Sequence, residues 1–114
     1  MTTVQAFRMH IRMEVAPGTE QDFEKGWLAL AQAAQEHPAN LDQWLARSAE
    51  DSCVFYLVTD WTGPEGYQEF VASPGFREHI GALRAARVSD VMRPAAVLHH
   101  LRGAAAGDPR AAAS

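Results

Sequence analysis

The chain has 114 residues, 47% hydrophobic and 21% charged, enough for one domain with a modest core and too few for a nucleotide-binding domain beside a substrate domain. Its net charge of −4, scattered basic residues and single lysine, Lys25, exclude the electrostatic footprint of a nucleic-acid binder. One cysteine, Cys53, rules out an internal disulfide or a cysteine zinc site and reads as a small buried hydrophobe; with no basic-then-apolar leader and no bilayer-length apolar run, a cytoplasmic location is expected.

From Val4 to Val15 the residues alternate. Phe7, Met9, Ile11, Met13 and Val15 share one face and Arg8, His10, Arg12 and Glu14 the other, the period of a strand. Pro17-Gly18 ends it, and Thr19 with Asp22 has the spacing of a capping box opening a helix. Phe23, Trp27, Leu30, Ala31 and Ala34 then form an apolar stripe that stops before His37-Pro38.

Leu41 to Ser48 is a second strand, and Glu50-Asp51 turns into a third, Cys53 to Thr59, which ends in Asp60-Trp61. After Gly63-Pro64 a second helix carries Tyr67, Phe70 and Val71, is interrupted at Ser73-Pro74-Gly75, and resumes with Phe76, Ile80 and Leu83. The last strand is expected over Val91 to Leu101, with Pro94 favouring an edge. Residues 1–102 thus make one domain, and residues 103–114, rich in alanine, read as a disordered low-complexity tail.

Strand, helix, strand, strand, helix, strand is the split βαββαβ order of an α+β, ferredoxin-like fold: a four-stranded antiparallel sheet with two helices on one face. The other face stays partly apolar and uncovered, so a homodimer packed sheet to sheet is expected.

The mouth of the hydrophobic space gathers Trp61, Tyr67, His79, Arg84 and Arg87. His79, three residues after Phe76 and four before Leu83, shares the helix's apolar face and is expected to point inward as a base. Arg84, one turn after Ile80, is a fixed cation for an anionic oxygen, or a surface or dimer-contact residue, as is Arg87. Trp61 walls the cavity beside Phe70, or closes a core; Tyr67 donates to a phenolic oxygen, or simply packs. His10 invites a metal test, because antiparallel first and last strands would bring it beside His99 or His100; neighbouring strand residues face opposite ways, so at most one can join it, and no metal is expected.

With strand order, length and the segments Phe55-Tyr56-Leu57-Val58-Thr59-Asp60-Trp61, Tyr67 to Phe70 and Ser73-Pro74-Gly75-Phe76-Arg77-Glu78-His79, the chain resembles the antibiotic biosynthesis monooxygenase family of dimeric α/β barrels. The resemblance implies a cofactor-independent monooxygenase that oxidises an anthrone-like aromatic polyketide to a quinone with dioxygen, with no metal, flavin or haem. Trp61 matches the family's tryptophan at the end of the third strand and Tyr67 its tyrosine early in the second helix, while Leu57 stands where several quinone-forming members have asparagine. The expected catalytic residues are accordingly Trp61, Tyr67 and His79, with Leu57, Phe70, Phe76 and Arg84 contacting substrate. Two alternatives use the same cavity: a polyketide cyclase, or a non-catalytic dimeric module that binds a pathway intermediate.

Overall fold

Alternation along the first segment produces β1 (Phe7–Val15) in the computed structural model, which describes residues 5–107. Met9, Met13 and Val15 are buried on one face, and the pleat sends Arg8, His10 and Arg12 to the other. There follow α1 (Glu20–Gln35), β2 (Asn40–Arg47), β3 (Val54–Trp61), α2 (Pro64–Val71), α3 (Pro74–Ala86), β4 (Arg87–Ala96) and a short 3-10 turn at Ala104–Gly107. All neighbouring strands are antiparallel, in the order β2-β3-β1-β4, the ferredoxin-like α+β arrangement expected from the element order.

The interior is divided into two apolar clusters. One joins Met13, Val15, Phe55 and Leu57 of the sheet to Phe23 of α1 and Leu83 and Ala86 of α3. The other joins Trp61 to Ala34 of α1 and Phe70 of α2. Leu30 of α1 packs against both, and the space between them is where the cavity described below lies.

Several boundaries differ from expectation, each for a local reason. Thr19 does not form the capping box: its φ of −104° and ψ of 4° are not the extended geometry an N-cap needs. Its hydroxyl donates instead to the Ala16 carbonyl at 2.6 Å, and the Glu20 carboxylate accepts from the Gly18 amide at 2.7 Å. Gly18, at φ +90°, supplies the left-handed turn that makes both contacts possible. Ser73 does cap: its hydroxyl accepts from the Phe76 amide at 3.3 Å and donates to the Phe70 carbonyl at 2.6 Å, so the expected interruption separates two helices, α2 and α3.

The last strand is displaced towards the N-terminus. It starts at Arg87, directly after α3, and its pairing with β1 ends at Phe7 opposite Ala96, with one further bond from the Val97 amide to Ala6. Residues 98–101 cannot continue as ladder once the pairing with β1 has ended. Pro94 lies in this edge strand, where its missing N–H is tolerated. Residues 108–114 of the expected tail lie outside the described residues, within which no helix is long and apolar enough to cross a membrane.

Close helix packing gives a paired test. A Cβ built on Gly26 of α1 would lie 2.7 Å from the Ala82 Cβ of α3, whereas one on Gly81 meets nothing within 4 Å. Gly26→Ala is expected to destabilise by about 1–3 kcal/mol and Gly81→Ala to stabilise by about 0.5–1 kcal/mol in urea unfolding; equal effects would mean that the helices are not in this register.

Candidate functional site

Between the sheet and the helices is a cavity of about 300 Å³, at the lower end of the roughly 300–1,000 Å³ of small-molecule sites. Its floor is the inner face of the strands, where successive rows run Ile11, Leu57, Leu45 and then Met9, Thr59, Gln43. Its roof is Trp27, Leu30, Ala31 and Ala34 of α1 with Phe76, Ile80 and Leu83 of α3.

Aromatic rings close one end. Trp61, 1% exposed, stacks on Phe70 at 5.6 Å between centroids and meets the edge of Tyr67 at 5.9 Å. Phe76 sets its edge on Phe70 at 5.7 Å. The Trp61 indole N–H donates to the Thr59 hydroxyl at 3.0 Å, so the tryptophan presents a wall with its one polar group already satisfied. Tyr67 ionises above its ordinary value because burial disfavours the phenolate; at neutral pH it is therefore a hydrogen-bond donor.

The opposite end carries charge. Arg87 is paired with Asp90 at 3.1 Å, and Arg84 lies 6.0 Å from the Phe76 ring centroid. Arg84 makes no ion pair among the described residues, which leaves its cation available to an anionic ligand.

Asp60 is the polar counterpart of Trp61 on the other face of the sheet. Arg8 donates to both its carboxylate oxygens, at 2.7 and 2.9 Å, and lies 5.6 Å from the Trp44 ring centroid. The hydrogen bond and charge of Asp60 raise the Arg8 guanidinium above its usual range, against a smaller opposing effect of burial.

Of the residues expected from the sequence, Leu57, Trp61, Tyr67, Phe70, Phe76, Arg84 and Arg87 line this one cavity. His79 does not: it is half-buried beside the lining. At about 100° per residue, Phe76, Ile80, Leu83 and Arg84 share a face from whose centre His79 is turned by nearly a right angle. The histidines weighed as a metal test lie apart. His10 is paired between Val58 and Arg93, and His99 and His100 follow the end of β4, so neither is brought beside it. Sequence reading passed over Thr59 and Gln43, a cross-strand polar pair in the floor, and His37, whose ring meets the edge of Trp61 at 5.7 Å.

A family model described as antibiotic biosynthesis monooxygenase matches residues 6–82. Among solved structures, the chain is similar to a variant of SnoaB, a cofactor-independent oxygenase from Streptomyces nogalater, with a TM-score of 0.78 and 21% identity over 87% of this chain and 99% of that one. It is also similar to PA3566 from Pseudomonas aeruginosa, with a TM-score of 0.76 and 16% identity over 87% and 100% of the two chains. A conserved protein from Methanosarcina mazei Go1 has a TM-score of 0.75 and 15% identity over 81% and 92%. No curated protein matches the chain.

Burial of Tyr67 fixes the sign of an alkaline effect. Above pH 10, the ordinary tyrosine value, the unfolded chain releases a proton that the folded chain retains. The contribution is therefore fully present below pH 10 and lost as pH rises through the higher folded value. Near-ultraviolet titration is expected to give a late-ionising tyrosine that vanishes in Tyr67→Phe, whose unfolding midpoint also falls less steeply at alkaline pH.

Proposed function

Because the family model covers residues 6–82, the chain belongs to the antibiotic biosynthesis monooxygenase family, and we propose that it is a cofactor-independent oxygenase that converts an electron-rich, anthrone-like aromatic polyketide to a quinone with dioxygen. The observation that carries this reading is the cavity: a largely apolar floor and roof, aromatic walls at Trp61 and Phe70, a neutral phenol at Tyr67 and, at Arg84, a cation with no ion pair among the described residues.

Fused rings lie against Phe76, which packs on Phe70 and through it on Trp61, with little loss of entropy. Arg84 stabilises the oxygen that gains charge as a ring methylene loses its proton, and Tyr67 donates to a second oxygen. No imidazole is among the lining residues, so C–H acidity is raised by holding the enolate; the methylene proton passes to water at the solvent-exposed mouth, and the peroxide regains it from there. The enolate passes one electron to dioxygen, and the carbon radical and superoxide combine to a peroxide within the closed space. Loss of water then leaves the carbonyl: CH2 and O2 become C=O and H2O, one oxygen atom going to each product.

Oxygen uptake with dithranol, above the spontaneous rate, tests the reading. Arg84→Ala and Trp61→Phe are each expected to lower the enzyme-dependent rate about tenfold or more, while His79→Ala, off the cavity, keeps it. Ring closure of a poly-keto substrate without oxygen uptake would make the protein a cyclase, and binding without turnover a carrier.

The uncovered sheet face packs, on this reading, against a second copy. Trp44 and Val91 are 44% and 39% exposed on the side of the sheet away from the helices, and Arg8 with Asp60 lies among them. Sedimentation equilibrium is expected to give a dimer that Trp44→Asp dissociates; a monomeric wild type would sink the arrangement.

A further inference from the structure

Thr59 adds a hydroxyl donor to the cavity's floor. The strand residues lining the cavity are apolar at Ile11, Met13, Leu57 and Met92. Of the other polar side chains there, Gln43 donates one of its two amide hydrogens to the Ala31 carbonyl at 2.8 Å, and Asp90 pairs with Arg87. Thr59 is different. A hydroxyl has one proton and two lone pairs, and indole N–H can only donate, so the 3.0 Å bond from Trp61 Nε1 makes Thr59 Oγ1 the acceptor and leaves its proton free. Among the described residues that proton is given to no other group. Accepting one hydrogen bond also polarises the hydroxyl and strengthens it as a donor.

We propose that the Trp61-oriented hydroxyl of Thr59 donates a hydrogen bond to a ring oxygen of the bound aromatic, and so selects oxygenated rings and sets their orientation on the β3 floor. This rests on the aromatic-substrate reading above. It gives the floor a polar contact two residues along the same strand face from Leu57, where the side chain is hydrocarbon. A role confined to satisfying the indole of Trp61 would instead affect every ligand alike.

Calorimetric titration with two soluble probes separates these cases: anthraquinone-2-sulfonate, and anthracene-2-sulfonate, which has the same ring frame and anion without the ring oxygens. Wild type is expected to bind the quinone more tightly, and the ratio to fall about fivefold in Thr59→Val, with the preference that remains owed to Tyr67 and Arg84, and to be restored in Thr59→Ser. If Thr59→Val does not fold because it orphans the indole N–H, the double variant Trp61→Phe/Thr59→Val removes both partners and is compared with Trp61→Phe alone. A ratio unchanged by loss of the hydroxyl while both probes still bind overturns the role of Thr59 and leaves the proposed function standing. Failure of wild type to bind either probe overturns both.

Discussion

Asp60 and Trp61 are consecutive residues of β3, and the pleat must send them to opposite faces of the sheet. Both ends of that constraint are filled. Asp60 is held by two hydrogen bonds from Arg8 on the open face, and Trp61 is sealed among Phe70, Tyr67 and His37 on the helical face. A slip of one residue in β3 would place an indole where the guanidinium sits and a carboxylate among aromatic rings. The register of β3 therefore locks the end wall of the cavity, and with it the orientation of the floor residues Leu57 and Thr59.

That lock allows the space beside it to stay open. At roughly 24 cal/mol per Å³, a sealed apolar void of about 300 Å³ would cost about 7 kcal/mol, comparable with the whole stability of many domains of this size. The cavity escapes that cost by opening towards β4, where Met92 is 44% exposed, so that solvent or ligand fills it. Stability is drawn from the two clusters on either side, bridged by Leu30, and the hollow between them is a consequence of that division.

Much of this was legible in the chain. Period-two alternation located β1, and serine followed by proline located the break between α2 and α3, because both are local rules acting on the residues that carry them. The failures were non-local or angular. Thr19 has the right spacing for a capping box, but the turn at Gly18 sets a backbone angle that spacing does not encode. The end of β4 depends on where β1 stops. His79 lies within a plausible apolar repeat but falls on its flank, a matter of phase along α3. Thr59 was readable in principle: a threonine two residues before a tryptophan on one strand puts hydroxyl and indole on the same face.

The distribution of polar atoms bears on the chemistry more than their number does. Leu57 makes the centre of the floor hydrocarbon, while the hydroxyl of Thr59, the phenol of Tyr67 and the guanidinium of Arg84 come from β3, α2 and α3 respectively. A flat ring system placed among them is gripped at its periphery and faces carbon across its middle. That suits a reaction in which charge collects on peripheral oxygens while dioxygen attacks a ring carbon, since donors stabilise the charge only where it develops and a dry centre keeps water from the reactive carbon. An amide at position 57 would bring a polar, water-binding group to that centre; on the proposed function, a donor at Thr59, two residues along the strand, keeps a hydrogen bond in the site and leaves the reacting carbon in an apolar environment.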